Sequence, residues 1–176
     1  MEPPELARFE ALVLPHLDAA YRLARYLMRN DADADDVVQE AFLRALKYFD
    51  GFRGEGTSQS RAWVLAIVRN MAHTWRHRHR ADAAATAFDE AVHSEAIVDE
   101  HPDAALQRSD SRDALAGALD HLTADFREVL VLREIEGLSY KEISEVVAVP
   151  VGTVMSRLSR ARKHLQQALM ASGGER

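Results

Sequence analysis

Gly137-Leu138-Ser139-Tyr140-Lys141-Glu142-Ile143-Ser144-Glu145-Val146-Val147-Ala148-Val149-Pro150-Val151-Gly152-Thr153-Val154-Met155-Ser156-Arg157-Leu158-Ser159-Arg160-Ala161-Arg162-Lys163 is the stretch on which the fold turns. Gly137 suits the left-handed conformation that ends a helix, and Ser139 with Glu142 has the Ser-x-x-Glu form of a capping box that opens the next. Ile143, Val146 and Val147 give this short helix one apolar side. Pro150 then stands where a first helical position tolerates it, because its missing N–H would have lacked a partner anyway. The pattern predicts helix, tight turn, helix. In the second helix Val151, Val154, Leu158, Ala161 and Leu165 recur three and four apart and face inward. Gly152, Thr153, Ser156, Ser159, Arg160 and Lys163 fall opposite, flanked by Arg157 and Arg162. Small hydroxyls permit close approach and base-edge hydrogen bonds, and long cations reach phosphates, so this face has the chemistry that reading a major groove requires. A lone amphipathic helix with such a face would be read as merely solvated; cap, turn and helix together favour DNA recognition.

Upstream, Leu115, Leu119 and Leu122, then Phe126, Val129, Leu130 and Leu132, keep helical spacing and predict two helices parted near Thr123. Residues 81–109 lose the pattern: alanines, acids and Pro102 offer too little apolar surface to order the segment by itself. A linker with a short helical turn is expected there. Before it, Trp63, Val64, Ile67, Val68, Met71 and Trp75 form the apolar stripe of a helix over about 61–80, with Arg69, His73, Arg76 and Arg80 as a basic stripe on a different face. The three glycines and small polar residues of Asp50–Ser60 read as a loop. Asn30-Asp31-Ala32-Asp33 supplies capping side chains for a helix over about 34–48. Residues 5–28 form one long amphipathic helix with a bend expected near Pro15. The fold class is therefore all-α: two small helical domains, residues 1–80 and 110–176, joined by a flexible acidic linker, 81–109, with a helix-turn-helix in the C-terminal domain.

The chain has 176 residues, 47% of them hydrophobic and 7% aromatic, and no cysteine. Disulfide and thiolate chemistry are excluded, and a reducing, cytoplasmic location is expected. Met1-Glu2-Pro3-Pro4-Glu5 is acidic where a signal peptide would be basic, and no apolar run approaches the ~20 residues of a membrane span. The net charge of −6 argues at first sight against a nucleic-acid partner. Its distribution removes the objection. Residues 1–80 hold 12 Lys and Arg against 11 Asp and Glu, residues 81–113 hold 2 against 9, and residues 114–176 hold 8 against 8. The acidity lies in the middle, and the flanking halves are free to carry local basic faces.

Phe126–Ile143 followed by Val149–Arg162 resembles the C-terminal, minus-35-reading domain of extracytoplasmic-function sigma factors, the small members of the sigma-70 family of bacterial RNA polymerase. Asn30–Phe42 resembles the segment by which these factors grip the beta-prime clamp helices of the polymerase, and Arg61–Asn70 resembles their minus-10-reading helix. The resemblance spans about residues 5–170. It implies a sigma factor that binds core RNA polymerase, through the clamp helices and the beta flap, and directs promoter-specific initiation in a stress or environmental response under an anti-sigma factor. It further implies that Asp36, Gln39, Glu40, Leu43 and Arg44 meet the polymerase; that Arg61, Arg69, Asn70, His73, Arg76 and Arg80 serve the minus-10 element; and that Gly152, Thr153, Ser156, Arg157, Ser159, Arg160 and Lys163 serve the minus-35 element. The Gly-rich loop before the third helix is where the family captures an unstacked promoter base. The acidic linker, which in the family runs toward the RNA exit path, would mimic nucleic acid; a plain tether accounts for the same composition.

Two readings of other classes stand beside this one. The first is a stand-alone helix-turn-helix regulator that binds operators as a symmetric dimer. The second is a metal site on His73, His77 and His79, opposed by the cations Arg76, Arg78 and Arg80 around them and by the absence of cysteine. No metal, cofactor, active site or membrane insertion is expected. Trp63 belongs to the apolar stripe; Trp75 is open to a core or a base-stacking role.

Overall fold

Proline and glycine set the element boundaries of the N-terminal half. The structure, a computed structural model, describes residues 2–86 and 106–173. The expected first helix is two: α1 (Pro3–Val13) and α2 (Leu17–Met28), parted by a 3-10 turn, Leu14–His16. Pro15 lacks an N–H and its ring crowds the preceding turn, so the helix breaks there instead of bending. α3 (Asp31–Tyr48) starts three residues earlier than expected, because the Asn30 side chain accepts the N–H of Asp33 at 3.1 Å and caps it. Phe49–Gly51 makes another 3-10 turn. α4 (Thr57–Thr86) opens after Gly56, whose φ of +96° suits glycine. It extends beyond the expected end at residue 80, through alanines that favour helix.

Small residues let these helices approach closely. Ala20, Leu23, Ala24 and Leu27 of α2, Ala34, Val37, Val38, Ala41 and Ala45 of α3, and Val64, Leu65, Val68 and Ala72 of α4 are all buried. An aromatic cluster closes one end. Phe9 meets Phe49 edge-on at 5.2 Å and Phe52 lies 4.8 Å from Trp63, so Trp63 packs against the core as its stripe predicts. Arg8 covers the cluster, with its guanidinium 5.0 Å from the Phe49 ring.

The C-terminal half comprises α5 (Leu106–Asp120), α6 (Ala124–Leu130), which runs on as a π turn (Val131–Ile135), α7 (Tyr140–Val147) and α8 (Val151–Gly173). Thr123 caps α6, as the parting expected there requires. Arg127 is buried and ties off the end of α5, donating to the carbonyls of Leu119 and Leu122 at 2.9 Å and of Asp120 at 3.2 Å. Gly137 has a φ of +69°, and Ser139 and Glu142 form the reciprocal capping box. The Pro150 carbonyl accepts the N–H of Thr153 and of Val154. Pro150 is thus the cap of α8 and not its first residue, one position from the expectation.

Both expected units are present, and they pack on one another. α4 lies against α7 and α2 against α6, and the buried apolar side chains of the two halves form one continuous cluster. The expected linker is shorter than 81–109, since α4 includes 81–86 and α5 begins at Leu106; residues 87–105, with most of the acidic stretch, lie outside the described residues. No helix among the described residues is long and apolar enough to cross a membrane.

Candidate nucleic-acid interface

Three surfaces carry the residues singled out by sequence. On α8, Val154, Leu158 and Ala161 are buried against the rest of the C-terminal half, which turns the opposite side outward. Gly152, Ser156, Ser159, Arg160 and Lys163 are exposed there, with Thr153 and Arg157 partly covered. Arg157 lies 3.5 Å from Asp125. Arg162 is held by Glu134 through two donors, at 2.6 and 2.9 Å; that pair holds its guanidinium above its ordinary pKa, the hydrogen bond outweighing the cost of burial. Arg160 and Lys163 form no ion pair among the described residues, so they are the free cations of this face. The helix is presented rigidly, because α7 is capped at its start by Ser139 and Glu142 and anchored at its end by the Ser144 hydroxyl on the Val149 carbonyl at 2.5 Å.

The basic stripe of α4 is arranged differently from its sequence reading. Arg61 donates to the carboxylate and the carbonyl of Glu136, at 2.8 and 2.6 Å. Arg22 of α2 grips the same carboxylate with two donors, at 2.7 and 3.0 Å. One turn and more along α4, Arg69 makes a bidentate pair with Glu128 at 2.9 and 3.0 Å, and His73 Nε2 lies 3.0 Å from the same carboxylate. Both glutamate side chains are fully buried, at 0% exposure, whereas Arg61 and Arg69 keep 32% and 16%. Burial by itself pushes the Glu128 carboxyl up, but the His73 and Arg69 hydrogen bonds outweigh it and hold the group below the ordinary carboxylate range. Arg29 reaches Asp120 at 3.0 Å, and Ser58 donates to Glu142. Asn70 is exposed, while Arg76 and Arg80 make no ion pair among the described residues. Three of the six residues expected to serve the minus-10 element, Arg61, Arg69 and His73, are therefore engaged by acids of the other half.

The third surface is one side of α3. Asp36, Gln39, Glu40, Leu43 and Arg44 are all exposed. Leu43 is 63% and the nearby Tyr48 57% exposed, and Glu40 lies 3.9 Å from Arg44 one turn on. Apolar, amide and charged groups on one helix side make a mixed surface suited to another protein. Trp75 is only partly buried, and its ring lies parallel to that of His79, whose Nδ1 meets the Trp75 carbonyl at 3.0 Å.

The family described as Sigma-70 region 2 matches residues 12–82, and the family described as Sigma-70, region 4 matches residues 112–165. The RNA polymerase sigma-H factor of Pseudomonas aeruginosa is 35% identical over 168 residues, 92% of this chain and 86% of its own length. The ECF RNA polymerase sigma-E factor of Escherichia coli K12 is 34% identical over 137 residues, 74% of this chain and 71% of its own. This chain belongs to the extracytoplasmic-function sigma factors. Among solved structures, the sigma factor RpoE in complex with the anti-sigma factor NepR from Bartonella quintana superposes with a TM-score of 0.69 at 29% identity, over 93% of this chain and 95% of that one. CnrH in complex with the cytosolic domain of CnrY gives a TM-score of 0.63 at 28% identity, over 93% and 88%.

In this sigma factor region 2 thus runs from the end of α1 to within α4, and region 4 takes in most of α5 and all of α6, the π turn and α7, with α8 as far as Leu165. The residues that sequence reading missed are those that join the regions, Glu128 and Glu136 of region 4 with Arg22 and Arg29 of region 2, and the buried Arg127 that ties α6 to the end of α5 within region 4. Glu128 follows Phe126-Arg127 inside an apolar run, where an acid that is not solvent-facing must have a buried cation; that was the one available signal.

Proposed function

We propose that this sigma factor binds core RNA polymerase and delivers it to promoters through two DNA contacts. The free face of α8, with Gly152, Thr153, Ser156, Arg157, Ser159, Arg160 and Lys163, reads the minus-35 duplex. Arg61, Arg69, Asn70, His73, Arg76 and Arg80, with the loop before α4, serve the minus-10 element. Asp36, Gln39, Glu40, Leu43 and Arg44 dock on the beta-prime clamp helices, and region 4 meets the beta flap. The protein works in the cytoplasm and contributes recognition, not catalysis. The observation that carries the reading is the outward polar side of α8, on which Arg160 and Lys163 form no ion pair among the described residues, behind a doubly anchored α7, in a chain that matches both sigma regions in order.

Arg61, Arg69 and His73 cannot hold phosphates while Glu128 and Glu136 hold them, so the two regions must part before promoter engagement. One of the two similar structures is a sigma factor, RpoE, in complex with the anti-sigma factor NepR, and its likeness covers 93% of this chain, both halves included. That supports an anti-sigma factor as the regulator, stabilising an arrangement with the regions together. The test is reconstitution: with core polymerase, the protein gives promoter-specific transcripts, and Gln39→Ala with Leu43→Ala abolishes them by preventing core binding. Strong operator binding by the protein unaided, with no effect on core polymerase, would overturn the proposal in favour of a stand-alone regulator.

A further inference from the structure

Region 2 and region 4 together enclose a basic cavity. His73, Arg76, His77 and Arg80 lie at i, i+3, i+4 and i+7 on one face of α4. With Ala124 at the start of α6 they line a cavity of about 180 Å³. We propose that this cavity binds a small phosphate-bearing anion, pyrophosphate or the polyphosphate of a nucleotide, and that the bound anion holds the two regions together.

Charge balance is the first argument. Glu128 contacts the lining residue His73, and both of its oxygens are taken by Arg69 and His73. Asp125, beside Ala124, pairs with Arg157. Asp120 pairs with Arg29. Arg76 and Arg80 form no ion pair among the described residues, although Arg76 feels the field of Glu128. A second, independent observation lies behind them: Arg127 is 2% exposed, and its Nη1 is buried with no hydrogen-bond partner. Arg76 lies within the fields of Arg80, Arg29 and Arg127, and Arg127 also within that of Arg29. Burial first, then Arg80 and Arg29, pull the Arg76 guanidinium below its ordinary pKa, with Glu128 opposing. Burial first, then Arg29, with Asp120 opposing and Arg76 adding, pull that of Arg127 down to about 10. The protein has gathered more positive charge here than it neutralises.

Size and chemistry select the ligand. At ~30 Å³ per liquid water, the cavity has the room of about six waters, enough for a diphosphate but not for a base or sugar, so a nucleoside would project outward. Guanidinium forks bind phosphate oxygens in a bidentate manner, which single halides cannot exploit. Because α4 supplies the cations and α6 the opposite wall, parting the regions dismantles the cavity. A ligand that binds only the closed arrangement must stabilise it.

The test uses the intact protein at constant ionic strength. Calorimetry with inorganic pyrophosphate and, separately, adenosine triphosphate should give saturable one-site binding by at least one of them. Arg76→Ala with Arg80→Ala should weaken it by about tenfold or more, and Arg80→Ala, a substitution at an exposed position that leaves the fold intact, should weaken it by itself. Arg78→Ala removes the same charge from the same helix but does not line the cavity, so it should leave the affinity within about twofold. Pyrophosphate binding without the nucleotide marks the free anion as the source, and the reverse marks the nucleotide. The proposal is overturned if neither saturates, if Arg78→Ala costs as much as the double change, or if only duplex DNA binds. It is also overturned if the ligand fails to raise the closed fraction measured by the fluorescence distance assay described below. None of these outcomes depends on transcription, so they separate from the failure of the sigma-factor assignment.

Discussion

Removing the Glu128 carboxylate should part the two regions. This side chain, 0% exposed, receives hydrogen bonds from Arg69 at 2.9 and 3.0 Å and lies 3.0 Å from His73. Hydrogen bonds to charged groups contribute roughly 1.5–3 kcal/mol each, but burying the acid costs several kcal/mol, so the pair's net worth is far below the sum. Breaking such a pair by removing one member costs about 3 kcal/mol. Arg69 retains 16% exposure, so it is the more desolvated of the cations on the two acids and suffers most from the loss. With ~1.4 kcal/mol per factor of ten, Glu128→Ala shifts the ratio of closed to open molecules roughly a hundredfold toward open. The chain has no cysteine, so cysteines introduced at the exposed positions Lys47 on α3 and Gln167 on α8 take a fluorophore pair without interference, and energy transfer reads the separation. A double-mutant cycle of Glu128→Ala with Arg69→Ala isolates the contact from any general weakening of α6. Coupling of about 1.5–3 kcal/mol is expected. An unchanged transfer distribution, or coupling below about 0.5 kcal/mol, would refute the reasoning.

Three further outcomes follow from the same geometry. Glu128 titrates lower in the closed arrangement than when free, so closure is fully favoured above the ordinary carboxylate value of ~4.3 and is lost as pH falls through the lowered value; acid titration of the labelled protein should show this opening, and Glu128→Gln should remove it. Ala148 ends α7 at φ 55°, a conformation that costs a non-glycine residue about 1 kcal/mol, so Ala148→Gly should raise the unfolding free energy, read by denaturant titration, by up to that amount; a fall would show that the lost side chain matters more than the strain. Arg160→Ala should weaken minus-35-dependent transcription by about 1–3 kcal/mol equivalent while leaving core binding intact, measured by transcription from matched promoters and by core pull-down.

What the sequence made legible is what local chemistry decides. The capping box of Ser139 and Glu142, the left-handed Gly137 and the cap at Thr123 all act within four residues, so they could be read directly. The outward face of α8 followed in the same way, whereas at Pro15 only a bend is expected and the helix breaks. The left-handed Ala148 had no such signal, since alanine does not advertise a positive φ. The π turn of Val131–Ile135 was hidden because one extra residue in a turn leaves an apolar run looking helical. The extension of α4 to Thr86 was missed because alanine propensity continues after apolar periodicity stops. The pairing of Glu128 with Arg69, and of Glu136 with Arg22 and Arg61, joins residues 59 to 114 apart in the chain. No local pattern reports such contacts, and they decide which minus-10 candidates are free.

The charge map acquires a second meaning from those pairs. Segment totals near zero, 12 against 11 in residues 1–80 and 8 against 8 in residues 114–176, suggest two indifferent halves, yet the structure sets acids of one against cations of the other. Arg22, Arg61 and Arg69 spend their charge on Glu136 and Glu128, while Arg160 and Lys163 spend theirs on nothing described. On the proposed reading the closed protein therefore offers DNA the outward face of α8, and a minus-10 stripe already neutralised in part. Each phosphate contact adds about 0.9 to the slope of log affinity against log salt. Opening the regions by Glu128→Ala should thus steepen that slope by the contacts Arg69 and His73 recover, roughly one to two units, with no change to any residue that touches the minus-35 duplex. A slope that stays constant while energy transfer reports opening would mean that the stripe on α4 does not meet phosphate, and the minus-10 assignment of Arg69 and His73 would fall with it.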